Sequence, residues 1–580
     1  MRVSLGHMLA LATLILVLTL GPSGAHAQAA SSGNSQSPLG INLARVAYYS
    51  TEVPFLDLMH MPKQWITHSK SDDTWDTNEQ QYLDLDSDGW PKSLMAVNEP
   101  NPQRFTSLGV VLLFHLSATV NGYYPTGRYL VLYDGQGTLS YGFDASLVSH
   151  SAGRDEINIA HASPAGIDLR IMATDPKHNG NYLRNIRVVK AENAAALAGG
   201  QLFNPAFLGL LRNFRALRFM DWFATNGSPL SSWASRPVPS NVFWGSAKGV
   251  PIETAVQLAN ALSADPWLNL PHQADDTYFR EMATLVHAQL RSGQKVYVEL
   301  SNEVWNGIFP QYDYAVSQGR TLWSGQPGGG GGYEWNRNWY GMRVAQMCDA
   351  WKAVWGADAG RIVCVLAAQA SNTQDATEAL TCRYWRGAPC AAHNINAVAI
   401  APYFGFKVPA AWTSQPDSGL GSLFQSLYSQ NDPSIPASGS LGQAAQWEAA
   451  YRAVLVAYKL PLIAYESGQS FANGSVALNN LYFAANRDPR MRAAYATYLS
   501  QWKASGGQLM LLYNDISAAD DSGSWGALES IMQTTIPLSS APPKWQAIQG
   551  FIAVNPCWWP GCAGTVERND RHADVEGARR

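Results

Sequence analysis

Two glutamates at the ends of apolar runs are the residues whose type and placement most directly offer chemistry. Val296, Tyr297, Val298, Glu299 and Leu300 form a β-branched and aromatic run that continues through Ser301 into Asn302, Glu303, Val304, Trp305 and Asn306. A short run of this kind predicts a buried strand, and a side-chain period of two puts Tyr297, Glu299, Ser301 and Glu303 on one face. A carboxylate at the mouth of such a strand is costly to desolvate unless it has partners or a task. Taken alone, Glu303 could equally cap the next helix or pair with an arginine. A second apolar run, 461–465, ends in Glu466, Ser467 and Gly468. Two strands that each deliver one glutamate to a common mouth meet the requirement for cleaving a glycosidic bond with two carboxylates.

Asn302 and Glu303 after a strand, with Glu466 ending a later one, resemble the pattern of the clan A glycoside hydrolases, and 299–303 is similar to the fourth strand of that clan's cellulase-like members. The resemblance covers most of 202–556 and a first strand near 39–46. It implies a (β/α)8 TIM barrel, with Glu303 as acid/base on the fourth strand and Glu466 as nucleophile at the end of the seventh. The two carboxyls would then stand about 5–5.5 Å apart, the separation of a retaining enzyme. By position the clan's supporting residues would be Arg218 on strand two, His272 on strand three, Tyr403 on strand six and Trp525 after strand eight. Arg218 and Tyr403 would hydrogen-bond the nucleophile and stabilise its anion. His272 and Asn302 would bind ring hydroxyls, with Asn302 suited to the 2-hydroxyl, and Trp525 would form a sugar platform. Strand six departs from the pattern, because Ala401, Pro402 and Tyr403 lack the histidine that many clan members carry near that tyrosine. The resemblance, together with the leader-like residues 1–27, therefore implies a secreted retaining glycoside hydrolase acting on β-linked polysaccharide or oligosaccharide. The same residues would serve a transglycosylase, and a barrel without turnover would be a polysaccharide-binding protein.

The elements that must position these residues are legible in outline. Residues 1–27 carry Arg2, an apolar run from Met8 to Leu20 and Ala25-His26-Ala27, the pattern of a cleaved secretory signal, and the run is short for a membrane span. Residues 28–38 are Ser-rich and read as a disordered N-terminus. The unit 39–105 holds the first barrel strand and connecting loops. From 106 to 190, short runs alternate with Asp134-Gly135, Ala152-Gly153 and Asn179-Gly180, which predicts an inserted all-β sandwich. The rest of the barrel spans 200–556, where helix and strand alternate: strands are predicted at 216–222, 266–272, 296–300, 362–368, 397–403, 461–466 and 508–514. Asn204-Pro205 and Asp275 or Asp276 are predicted to open helices. The glycine run 328–332 predicts a mobile loop beside the mouth, and the charged tail 563–580 predicts disorder.

Composition sets the remaining bounds. Hydrophobic residues make up 46% and charged residues 14%, so a large core is easily supplied. A net charge of −4 lacks the basic bias of a nucleic-acid surface, and no run beyond the leader is long and apolar enough for a membrane span. The expected partner is a polysaccharide or oligosaccharide, with no nucleic acid, no membrane and the oligomeric state open. The six cysteines fall as near neighbours, which predicts three local disulfides, Cys348–Cys364, Cys382–Cys390 and Cys557–Cys562, with a zinc site as the weaker alternative. Asp84, Asp86 and Asp88 match half of a calcium loop, but Met95 stands where its last glutamate belongs, so an acidic turn is the reading. No cofactor or metal is expected. The chain lacks both a metal-ligand cluster and the Gly-x-Ser-x-Gly elbow of a serine hydrolase.

Overall fold

The computed structural model describes residues 36–69, 74–98, 104–115, 122–326, 330–414, 416–472 and 474–562. The leader-like segment 1–27, residues 28–35 of the Ser-rich segment and the tail 563–580 lie outside the described residues. In chain order, β1 (Leu39–Asn42) is followed by β2 (Ile66–His68), β3 (Leu83–Leu85), β4 (Pro91–Ala96), β5 (Ser107–Leu112), β6 (Gly127–Asp134) and β7 (Gly137–Phe143). Then come β8 (Ala145–Ser151), β9 (Arg154–Ile159), β10 (Ile167–Thr174), β11 (Arg184–Lys190), β12 (Ala216–Arg218), β13 (Asp265–Leu270) and β14 (Val296–Leu300). The last four are β15 (Ile362–Ala367), β16 (Ala397–Ile400), β17 (Leu462–Ala464) and β18 (Met510–Leu512).

The strands β1 and β12 to β18 close into one parallel barrel, the fold that the clan A resemblance implies. The period of two sorts the side chains. Trp267, Tyr297, Val365, Ala399, Ile463 and Leu511 fill the inside, whereas the neighbouring Leu268, Val298, Leu366, Val398, Leu462 and Leu512 join the layer under the helices. Trp267 and Tyr297 stack across β13 and β14 with ring centroids 5.2 Å apart. The helices begin where the caps predict. Asn204 accepts from the backbone of Ala206 before Pro205–Leu211, and Asp275 accepts from that of Tyr278 before Asp276–Gln289.

Between β1 and β12 lie two four-stranded antiparallel sheets, in the orders β2-β5-β10-β7 and β11-β6-β9-β8, and the hairpin β3-β4. The expected β-sandwich insert is present, but it draws in chain well before residue 106, because β2 pairs with β5. Its buried faces do not form a core of their own. Val110, Tyr129, Phe55, Trp222 and Trp244 belong to one cluster that runs from the insert to the barrel, with Phe55 packed 5.3 Å from Trp222 and 5.0 Å from Trp244. The Asp57 carboxylate accepts from the backbone of Val188 at 3.0 Å and ties the segment after β1 to β11. Asp86 accepts from the backbone of Asp88, Gly89 and Trp90, and Asp84 pairs with Lys92 at 2.6 Å. These contacts make the expected acidic turn. Of the glycine run, 328 and 329 lie outside the described residues, and Gly332 opens the helix Gly332–Trp355.

Two of the three expected disulfides are formed, Cys382–Cys390 and Cys557–Cys562. The third is a correction: Cys348 and Cys364 are free and fully buried. Cys348 lies on the long helix and Cys364 on β15, so both thiols sit in the apolar layer between helix and barrel, where burial pushes the Cys348 thiol well up and keeps it protonated. A membrane-impermeant maleimide should therefore label no cysteine in the native, unreduced protein. In denaturant without reductant it should label Cys348 and Cys364 alone, read by peptide mass mapping.

Candidate active site

The strands deliver the two glutamates just past their paired ends. Glu466 follows β17 by two residues and Glu303 follows β14 by three. After β14 the chain turns sharply, with Ser301 at φ 59° and Glu303 at φ 40°, both in the left-handed region that disfavours side chains. Such residues cost about 1–3 kcal/mol each and persist only where the surroundings hold them. Here the backbone of Asn306 donates to the Glu303 carbonyl at 2.8 Å, and the Asn336 amide and Arg337 guanidinium donate to the carbonyls of Val304 and Trp305. The helix Gly332–Trp355 thus clamps the turn that carries Glu303.

Arg218, the last residue of β12, is fully buried at the centre of the site. Its Nη1 donates to Glu466 at 2.7 Å and to Asn42 at 3.0 Å, its Nε and Nη2 grip Glu299 at 2.9 and 3.0 Å, and Nη2 also reaches Asn302 at 2.8 Å. Glu299 receives further bonds from Trp267 at 2.7 Å and Asn269 at 2.9 Å. Burial nevertheless pushes its carboxyl upward against the pull of Arg218. The Tyr403 hydroxyl donates to the other oxygen of Glu466 at 3.0 Å. A full positive charge and a hydroxyl therefore bind the two oxygens of Glu466 separately.

Among the described residues no cation forms an ion pair with Glu303, on which Arg218 acts only at longer range. Its oxygens accept from the Tyr465 hydroxyl at 2.9 Å and the Asn306 amide at 2.8 Å. Burial, and then the negative charge of Glu466, push its carboxyl up to about 7. A third carboxyl, Asp221, accepts from the Tyr513 hydroxyl at 3.0 Å and is pushed up to about 6 by burial and by Glu466. The arrangement therefore sets a carboxylate paired with a cation and a carboxyl that holds its proton toward neutral pH on one surface.

That surface is a cleft of about 630 Å³ at the barrel mouth, to which Glu303, Glu466, Asn302, Tyr403 and Trp525 all contribute. Trp525 lies edge-on to Tyr403 and Tyr513, and its indole N–H donates to the Ser522 carbonyl at 3.0 Å. Its loop is anchored by the buried Lys544 side chain, whose Nζ donates to the carbonyls of Ser524, Trp525 and Gly526. Asn302 is partly occupied by Arg218 and by Asn226, to which its amide donates at 3.1 Å. His272 is placed differently from the rest. It is buried, lies edge-on to Tyr314, is pushed down to about 4 by burial and does not line the cleft. Residues that sequence reasoning passed over also meet here: Asn42, Asp221, Asn306, Tyr465 and Tyr513. Only Asn306, three positions after Glu303, and Tyr465, adjacent to Glu466, carried a positional signal.

The stability of this centre rests on complete pairing of Arg218. Replacing it with Met would leave Glu299 buried without its cation, so Arg218→Met is expected to lower the unfolding free energy by about 3–5 kcal/mol, read from urea denaturation. Adding Glu299→Gln should recover part of that loss, because the stranded charge is then gone.

No family model and no curated protein matches the chain. Solved structures similar to it include a 4-O-α-L-rhamnosyl-β-D-glucuronidase from Fusarium oxysporum 12S, with 11% identity, a TM-score of 0.33 and 59% of this chain aligned to 61% of that one. A broad specificity endoglucanase from Bacteroides salanitronis aligns with 13% identity and a TM-score of 0.34, over 60% of this chain and 85% of that one. A xyloglucanase from Bacteroides ovatus aligns with 11% identity and a TM-score of 0.32, over 74% and 95%. The chain thus spans less than two thirds of the length of the first. Likeness at this level carries no argument, and what the cleft does must be argued from its own side chains.

Proposed function

We propose that the protein is a retaining glycoside hydrolase that cleaves β-linked polysaccharide or oligosaccharide by double displacement. The observation that carries this reading is the opposite setting of two carboxyls on one cleft: Glu466 bound by Arg218 and Tyr403, and Glu303 pushed up to about 7. In the first step a Glu466 oxygen attacks the anomeric carbon, the glycosidic C–O bond breaks, and Glu303 gives its proton to the departing oxygen. Once Glu466 is an ester its charge is lost, so the second cause of the raised Glu303 carboxyl disappears and Glu303 becomes a better base. Glu303 then takes a proton from water, the water oxygen bonds the anomeric carbon and Glu466 leaves as carboxylate, with configuration retained. An open mouth lined by Tyr49, Trp305, Phe309, Tyr403, Tyr513 and Trp525 suits a chain of sugar rings. We also propose export, supported by the leader-like residues 1–27 and by two disulfides of the kind that persist in oxidising compartments.

The roles are tested by variants. Glu466→Ala should abolish turnover even with a good leaving group, and added azide should yield the glycosyl azide of inverted configuration. Glu303→Ala should still react with activated aryl glycosides, which need no acid, and azide should yield the retained product. Exchange of these behaviours would reverse the assignment, and wild-type turnover by both variants on polymer would end the two-carboxylate reading.

The pH dependence has a definite sign. Glu303 must be protonated for the first step, so kcat/KM on a substrate with a poor leaving group should fall as pH rises through about 7. With an activated aryl leaving group this alkaline limb should flatten, because protonation of the departing oxygen no longer limits the step.

A further inference from the structure

A second groove, of about 280 Å³, lies on the insert, and its aromatic residues include Tyr48, Trp75, Phe114 and Phe143. Two of these are unusually exposed for large aromatic rings, Trp75 at 42% and Phe143 at 49%. They stack on one another, with centroids 5.6 Å apart and planes 17° apart, so their exposed parts form one apolar aromatic wall. The pair is braced. The Arg170 guanidinium lies 4.9 Å over the Trp75 ring and is itself held by Asp168 at 2.8 Å, while His68 meets Trp75 edge-on at 5.1 Å. Phe143 closes β7 in the left-handed region, at φ 58°. A bulky residue there, at the tight turn into β8, carries a backbone cost in addition to that of its exposed ring.

The groove and the cleft are lined by residues adjacent in the chain. Tyr48 lines the groove and Tyr49, which it meets edge-on at 5.2 Å, lines the cleft. Phe114 lines the groove and lies 6.0 Å from Tyr48, and the next residue, His115, lines the cleft. Lys63 and Gln64 bring polar groups to the same groove, which suits a ligand with apolar faces and a hydroxylated rim.

We propose that the Trp75–Phe143 groove binds pyranose rings of the same polysaccharide chain whose scissile bond lies in the cleft, making the insert a distal extension of the substrate track. This rests on the glycosidase reading above for the identity of the chain. Rings bound at one end make engagement of the other an intramolecular event, so affinity rises for polymers long enough to span both and not for short glycosides. Binding that is equal in the ground and transition states appears in KM and not in kcat.

The test uses the full chain and a panel of carboxymethylcellulose, xyloglucan, glucomannan and xylan. On the polymer that wild type cleaves fastest, Trp75→Ala should raise KM roughly tenfold and change kcat less than twofold. Its kcat/KM on an aryl disaccharide should match that of wild type. Trp75→Phe should recover most of the polymer KM, and matching thermal melts exclude misfolding. In native gels cast with that polymer, Glu466→Gln should be retarded and Glu466→Gln/Trp75→Ala should run faster. An unchanged polymer KM and unchanged retardation would overturn the proposal. If wild type cleaves none of the panel, the catalytic reading fails and retardation alone decides the groove. Retardation of wild type that Trp75→Ala reduces then supports a polysaccharide-binding groove, and no retardation, or retardation equal in both, overturns it.

Discussion

A guanidinium with no access to water organises the barrel mouth. Arg218 on β12 joins Asn42 on β1, Glu299 on β14 and Glu466 beyond β17, so four of the eight barrel strands meet on one cation. Removing such charges from water costs several kcal/mol per ion, and their attraction offsets that cost only when geometry is good and the remaining hydrogen bonds are filled. Both conditions hold, because Trp267 and Asn269 complete Glu299 and Tyr403 completes Glu466. A small change of strand register would strand one of these charges. The polar centre therefore specifies how the strand ends align, and the alignment fixes where Glu466 points.

The contrast between the two glutamates follows from the same arrangement. Arg218 satisfies Glu466 directly, while Glu303 lies on the far side of a strained turn and takes its bonds from neutral donors, Tyr465 and Asn306. Burial raises Glu303 and Asp221 most, and the charge of Glu466 raises both further. One well-paired carboxylate thus adds to the effect of burial on both of its neighbours.

The barrel was legible in the sequence because its strands are buried on both faces and read as apolar runs. The strand predicted at 362–368 and the observed β15 differ by a single residue at one end. The other predicted strands mostly ran too far toward the mouth, as at 216–222 against Ala216–Arg218, because the apolar run continues after pairing has stopped. In the insert, β7 and β8 escaped notice since their side chains are mostly exposed or half-exposed and leave no period of two. Within the site, Glu303, Glu466, Arg218 and Tyr403 stood out because strand-end placement coincides with the pattern of the clan A resemblance. Asp221 and Tyr513 fall outside that pattern, and their contact, between residues 292 apart in the chain, arises only on folding. Cys348 and Cys364 misled for the same reason: nearness in sequence says nothing about whether two thiols share a core or a bond.

The position of β1 has a consequence for synthesis. This first strand pairs with β12 near residue 217 on one side and with β18 near residue 510 on the other. At a translation rate of about 5–20 residues per second, the second partner follows the first by tens of seconds. Throughout that interval the nascent barrel is an open sheet, with an unpaired edge of the kind that invites association. The insert, whose strand pairings all fall between Ile66 and Lys190, has every strand made before β12, and its buried face adjoins the chain just after β1 but shares its core with later residues such as Trp222 and Trp244. The earliest strand thus stands beside sheets whose strands are already made while its last neighbour is still to be synthesised, and the ring can close only once that neighbour is present.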